Sequence, residues 1–188
     1  PNPLSCTVRL RQLTGGLFGD DNPKLERVKD MLEEITESGH KALIFSQWEQ
    51  VTAVYKEALK DYNPAYIVGA VDPEDRQKEV DRFQNDPTCK VAIGTIGAMG
   101  TGLTMTAASY VFFIDKRYWD AENKQAEDRA HRIGTTNTVN VVSLVATNTV
   151  DEGIEEMLRD NKALFDRVVE GKGSRVDFGE ILRKILQL

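Results

Sequence analysis

Short apolar runs alternate along this chain with segments whose apolar residues recur at helical spacing. The five runs cover residues 41–46, 65–68, 90–94, 110–114 and 139–145. Several of them are apolar throughout rather than at every second position, which is typical of strands covered by helices on both faces. We therefore predict an α/β fold in three layers, with a mostly parallel sheet between two layers of helices.

The length of 188 residues fits one domain with a substantial core. A helix is predicted to begin at Asp21-Asn22-Pro23, where a capping side chain precedes a proline. We predict three regions: a leader or linker at 1–20, the main lobe at 21–170, and an extension at 171–188. The extension carries an amphipathic helix at 178–186.

The charge balance excludes one class of function. The formal net charge is −6, whereas a module that coats DNA by itself is usually basic.

Cys6 and Cys89 lie far apart, so we expect free thiols, no metal site and an intracellular protein. No apolar window is long enough for a membrane span, and we predict no membrane partner. The lack of a basic localisation cluster favours a bacterial or viral, cytoplasmic protein; a eukaryotic one would be nuclear.

A glycine-rich stretch, GTIGAMGTGL, follows the third predicted strand. Glycine lets a backbone turn tightly and approach a phosphate closely, and sites in such sheets lie beyond the carboxyl ends of the strands. The stretch also fits a tight loop without a ligand, or a degenerate dinucleotide fingerprint with Asp115 as the ribose acid. The chain has no G-x-x-x-x-G-K-[ST] phosphate loop, so it cannot hold ATP by itself in that way.

The stretch QAEDRAHRIG, residues 125–134, places two arginines close together. We predict a helix over 120–131, on which Gln125, Asp128, Arg129 and Arg132 share one face. A solvated face with local acid–base pairs would explain this pattern too. Permanently charged, planar guanidinium groups are also what phosphoryl transfer requires at the γ-phosphate.

Five segments in order resemble one family. They are HKALIFSQW (40–48), VGAVDPEDRQKEVDRFQ (68–84), GTIGAMGTGLTMTAA (94–108), QAEDRAHRIG (125–134) and SLVATNTVDEGI (143–154). Together they resemble the second RecA-like lobe of superfamily-two helicase-like ATPases, and in particular the Swi/Snf-type double-stranded DNA translocases. The resemblance implies a RecA-like, P-loop NTPase-like form of the three-layer fold.

The chain departs from the family pattern at three places. Tyr118 takes the tryptophan place of the D-x-x-W-N-P run, and the N-P pair is lost. Thr104-Met105 replaces the usual N-L, and Thr135 follows Gly134 where glutamine is common. These changes put the individual DNA contacts in question rather than the fold.

The resemblance also implies roles for named residues. Arg129 and Arg132 would be arginine fingers that reach ATP on a first lobe. Nucleotide sensing and coupling would involve Gln125, Gly100, Thr101 and Gly102, and DNA contacts would involve Ser46, Gln47 and Thr95. ATP and Mg would be held mainly by that first lobe. The predicted partners of the chain are this first lobe of the same protein and double-stranded DNA. The chain alone would be inactive. The alternatives are a scaffolding module that kept the fold and a stand-alone dinucleotide enzyme.

Overall fold

The computed structural model describes residues 3–18, 21–100, 102–131 and 138–169. The helices are α1 Pro3–Thr14, α2 Pro23–Glu37, α3 Glu49–Ala58, α4 Pro73–Asn85, α5 Ile96–Met99, α6 Asp120–Glu127 and α7 Val150–Val169, with a 3-10 turn at Lys60–Tyr62. The strands are β1 Lys41–Ser46, β2 Ala65–Ile67, β3 Val91–Thr95, β4 Ala108–Phe113 and β5 Asn140–Ser143.

The five strands form one sheet in the order β2-β3-β1-β4-β5. Every neighbouring pair is parallel. β1 therefore lies at the centre, between β3 on one side and β4 on the other. The predicted α/β fold and parallel sheet are confirmed.

Two separate apolar cores lie on the two faces of this sheet. On β1, Leu43 and Phe45 join the core that includes α4 and α6. Ala42 and Ile44, which alternate with them, join the core that includes α2 and α3. Because successive side chains of a strand point to opposite faces, a strand covered on both faces is apolar at every position. This is the physical reason for the apolar runs, and it confirms the three layers.

One predicted helix ends earlier than expected. We expected helix from 120 to 131, but α6 ends at Glu127 and the chain continues in turns. The Arg129 N–H donates to the carbonyl of Ala126, a tighter spacing than in an α-helix, while the Arg129 carbonyl accepts from Met105 N at 3.0 Å. The bond to a distant segment replaces continuation of the helix, so Arg129 lies beyond its end.

The N-terminal segment contacts the lobe rather than standing apart from it. α1 packs against α7, and the Arg11 side chain is buried. Its guanidinium donates to the Lys116 carbonyl and lies 4.6 Å from the centre of the Tyr118 ring. The domain boundary at residue 20 stays a prediction. The predicted helix at 178–186 lies outside the described residues.

We expect Gly94→Ala to destabilise the fold. A Cβ at this buried position in β3 would lie 2.0 Å from the Ile67 carbonyl oxygen and 2.5 Å from the Met99 sulfur. Overpacking of this kind costs about 1–3 kcal/mol, and backbone cannot yield as a flexible side chain does. Urea unfolding of the purified chain should show this loss in the free energy of unfolding.

Gly69→Ala is the matched control. Gly69 is exposed and a Cβ there would meet nothing within 4 Å, so the change should stay within about 0.5 kcal/mol. Equal unfolding midpoints for the two variants would contradict the packing described at Gly94.

Candidate functional site

The carboxyl ends of the three middle strands lie side by side. Ser46, the last residue of β1, is the register partner of Thr95, the last residue of β3. Phe45 pairs in the same way with Phe113 at the end of β4, so Asp115 follows close beside them. The glycine loop, which we define as residues 96–105, follows β3 and leads towards β4. The fold thus brings Ser46 and Thr95, two predicted site residues of separate segments, to one edge of the sheet.

The first feature of this edge is a buried carboxylate, Asp115. The Ser46 hydroxyl donates to its Oδ2, and the Gln47 N–H donates to its Oδ1 at 2.9 Å. The Ser46 hydroxyl in turn accepts from the Trp48 N–H at 3.0 Å. Asp115 therefore fixes the turn that follows β1, which sequence reasoning did not foresee.

This arrangement bears on two earlier expectations. The Ser46 hydroxyl is buried and used inside the lobe, so the prediction that Ser46 and Gln47 lie near DNA phosphates stays a prediction. Asp115 is buried with its oxygens engaged, so its carboxylate does not face outward as a ribose ligand would. The alternative of a dinucleotide enzyme therefore lacks the acidic residue that would bind the ribose.

A buried ion pair lies next to Asp115. Lys24 Nζ is 2.5 Å from Asp151 Oδ2, and both side chains are less than a tenth exposed. Lys24 also donates to the Ile114 carbonyl at 2.6 Å. Asp151 accepts from the Thr14 hydroxyl at 2.8 Å and from Ala146 N at 3.1 Å. The pair thus joins α1, α2 and α7 to the end of β4. Its only sequence signal is charge beside apolar core positions.

The glycine loop has one open stretch of backbone. Gly102 has φ of 73°, and the space where a Cβ would stand is empty to 4 Å. A side chain is strained at this φ, so glycine both permits the turn and leaves the peptide accessible to a ligand. At the start of the loop, the Thr95 hydroxyl accepts from Ala98 N at 3.3 Å and caps α5. Thr101 lies outside the described residues.

The Arg129 guanidinium forms hydrogen bonds with backbone carbonyls of the glycine loop. Its Nη2 donates to the Gly100 carbonyl at 2.8 Å, and its Nη1 lies 3.5 Å from the Leu103 carbonyl. A guanidinium has five N–H donors in a rigid fork, so these two bonds leave others for a phosphate. Arg129 lies at the predicted edge, and its contact with nucleotide stays a prediction. Gln125 is exposed on α6, and Arg132 lies outside the described residues.

The residues present fit a phosphate better than they fit a metal ion. The accessible backbone at Gly102 and the guanidinium beside the loop match the donors that phosphates take. Within the described ranges, no group of three His, Cys, Asp or Glu residues is placed to hold a metal ion. In the same part of the chain, no helix is long and apolar enough to cross a membrane.

Comparison with known proteins decides the family. The description "Helicase conserved C-terminal domain" matches residues 23–134, which is more than half of the chain. The chain belongs to this family. It is a helicase C-terminal lobe, and its relatives are of the Swi/Snf type, as the sequence segments indicated.

Three relatives illustrate the relationship. The chain is 34% identical to "Protein CHROMATIN REMODELING 19" of Arabidopsis thaliana, over 87% of this chain and 23% of that protein. It is 32% identical to "Helicase SWR1" of Candida glabrata, over 80% of this chain and 10% of the relative. It is 31% identical to "Chromatin-remodeling ATPase INO80" of Gibberella zeae, over 86% of this chain and 9% of the relative.

Two solved structures share the fold. The C-terminal part of the Fun30 ATPase domain superposes with a TM-score of 0.72 at 22% identity, over 90% of this chain and 57% of that one. The Sulfolobus solfataricus SWI2/SNF2 ATPase core domain gives 0.74 at 27% identity, over 97% of this chain and 40% of that one. The RecA-like form of the three-layer fold is confirmed.

The comparisons also limit and correct the expectations. The chain spans between 9% and 23% of the length of these three curated relatives. Those relatives come from a plant and from fungi, so the preference for a bacterial or viral source is not supported.

The stability of the lobe should depend on the ionisation of Asp115. Burial raises the pKa of this carboxyl above its ordinary value of 3.8, against the Ser46 hydrogen bond and the charges of Arg11 and Lys24. The folded state then holds the proton more tightly than the unfolded one, so ionisation costs stability as the pH rises above 3.8. Asp115→Asn lacks this cost.

Urea unfolding at a series of pH values tests this expectation. The free energy of unfolding of Asp115→Asn minus that of the unaltered chain should rise between pH 3.8 and neutrality. Asp30→Asn, at an exposed position in the middle of α2, serves as the control and should change stability by less than about 0.5 kcal/mol throughout. A difference for Asp115→Asn that falls with pH would contradict the raised pKa.

Proposed function

We propose that this chain is the second motor lobe of an ATP-dependent double-stranded DNA translocase or remodelling enzyme. It works against a first RecA-like lobe of the same protein. The observation that carries the proposal is the position of Arg129, which links the glycine loop to the segment that leads to Arg132. The names of the relatives, which include helicases and a chromatin-remodeling ATPase, support the same class.

The arginines supply positive charge to a nucleotide held elsewhere. ATP with Mg, bound mainly on the first lobe, supplies the phosphoryl group and the metal that neutralises its charge. Arg132 reaches the γ-phosphate as an arginine finger. Arg129 adds charge beside it from a position fixed by the loop carbonyls. An arginine supplied by another domain can contribute about 10³–10⁵ in rate.

The glycine loop couples this charge to DNA. Gly100, whose carbonyl Arg129 holds, ends α5, and α5 begins directly after Thr95. A movement of Arg129 when ATP binds therefore reaches Thr95 through one short, rigid segment. Thr101 and Gly102 complete the loop on the nucleotide side, and the exposed Gln125 senses the nucleotide from α6. Closing and opening of the cleft between the lobes then moves this lobe along the duplex.

The net charge of −6 fits contacts with a few DNA phosphates rather than an extended DNA-binding surface. Ser46, Gln47 and Thr95 mark the place where the carboxyl ends of β1 and β3 approach the phosphates of one strand. Neutral side chains such as those of Gln47 and Thr95 serve such contacts without adding formal charge. By itself the chain is inactive, because its sequence contains no lysine phosphate loop to hold ATP.

Arg132→Ala tests the finger directly. In a protein that joins this lobe to its first lobe, the substitution should lower DNA-stimulated ATP turnover by about 10³-fold or more. DNA affinity should change little, because the finger acts on nucleotide. Steady-state phosphate release with and without duplex DNA, and fluorescence anisotropy of labelled DNA, give the two readouts.

Arg159→Ala provides the control, since Arg159 is an exposed arginine on α7, away from the glycine loop. Its turnover should equal that of the unaltered protein. Unchanged turnover in Arg132→Ala would refute the finger assignment. No DNA-stimulated hydrolysis by the unaltered two-lobe protein would refute the motor and favour the scaffolding alternative.

A further inference from the structure

Besides Arg129, Arg117 also lies against the glycine loop. It belongs to the segment between β4 and α6, and its Nη2 is 3.0 Å from the position that a Cβ of Gly97 would occupy. The central carbon of the guanidinium is 3.9 Å from that position. A Cβ at residue 97 would require this group to shift by a few tenths of an ångström. Glycine at 97 therefore provides the room in which the Arg117 guanidinium lies.

The backbone of Arg117 is held from both sides by one buried side chain. The Asn123 Oδ1 accepts from Arg117 N at 2.8 Å, and the Asn123 Nδ2 donates to the Arg117 carbonyl at 2.9 Å. Asn123 is only 1% exposed. A buried amide that satisfies both backbone groups fixes the direction in which the Arg117 side chain leaves the chain. The position over Gly97 is thus built into the fold.

The charge of Arg117 is only weakly engaged within the lobe. Its Nη1 is 3.3 Å from Glu122 Oε1, and the two side chains are 35% and 44% exposed. Its Nε is buried and has no hydrogen-bond partner among the described residues. An exposed ion pair of this kind contributes little to stability. A phosphate, which accepts two parallel N–H bonds from a guanidinium, would compete with it effectively.

We infer that Arg117 binds a phosphate, and specifically a phosphodiester of the DNA backbone. The two arginines contact different parts of the glycine loop. Arg129 bonds the Gly100 carbonyl in its middle, and Arg117 lies over Gly97, which is two residues after Thr95. The DNA assignment rests on the proposed function, because Thr95 marks the DNA side of that proposal. Glu122 pairs with the Arg117 guanidinium until a phosphate displaces the Glu122 carboxylate.

The complete chain and a short fluorescent duplex test this inference by anisotropy over a series of NaCl concentrations. Arg117→Ala should weaken DNA binding and lower the slope of log affinity against log salt by about 1, because one phosphate contact is lost. Glu122→Gln should act in the opposite direction and strengthen binding, because it releases Arg117. Gly97→Ala should weaken binding less than Arg117→Ala does, because its Cβ shifts the guanidinium by only a few tenths of an ångström.

Arg27→Ala is the matched control, an exposed arginine on α2, and should leave both affinity and slope unchanged. The gain expected for Glu122→Gln cannot arise from misfolding, so it keeps the test decisive even where another variant is unstable. Unchanged affinity and slope in Arg117→Ala and Glu122→Gln, in a chain that binds DNA, would overturn the inference.

A titration with ATP in place of DNA, carried out on the protein that joins this lobe to its first lobe, separates the two sources of phosphate. We expect ATP affinity to be the same with and without Arg117. Loss of ATP affinity rather than DNA affinity in Arg117→Ala would overturn the DNA assignment and place the contact on the nucleotide. Absence of DNA binding by the unaltered chain, even at low salt, would count against the DNA contacts of the proposed function as well.

Discussion

Parallel pairing of the central strand β1 with β3 and β4 is the constraint on which the rest of this lobe depends. It sets the ends of three segments beside one another, so that Thr95, Ser46 and Asp115 share one edge although they lie far apart in the sequence. The glycine loop spans this edge because it must lead from β3 to β4, on the other side of β1. Arg117 and Arg129 then contact different parts of the loop.

Buried charge fixes the helices around this edge. The Lys24–Asp151 pair and the Ile114 carbonyl join α1, α2 and α7 to the end of β4. Such a pair is expensive to desolvate and contributes little net stability relative to apolar packing, so we interpret it as a device for position. Arg11 acts similarly, since its guanidinium bonds the Lys116 carbonyl directly before Arg117. Buried polar contacts thus fix the positions of the segments around this edge.

Much of the fold followed from the sequence because strands covered on both faces must be apolar at every position. The site was less predictable, because its details depend on contacts between distant segments. α6 ends before Arg129 because that residue bonds Met105 and the glycine loop, which helical periodicity does not reveal. The Ser46 hydroxyl turns inward because Asp115, in another strand's loop, accepts it. Arg117 stands at a variable position of the D-x-x-W-N-P run, so its residue type carried no signal, and its position depends on space left by Gly97.

The central claim is that this edge presents fixed guanidinium groups to a phosphate held by a partner lobe. A structure of the two-lobe protein with a transition-state analogue of ATP and duplex DNA tests it most directly. We predict an Arg132 guanidinium nitrogen at about 2.7–2.9 Å from the analogue of the transferred phosphoryl group, with Arg129 still bonded to Gly100. An Arg132 side chain paired with a carboxylate of its own lobe, remote from the nucleotide, would contradict the account.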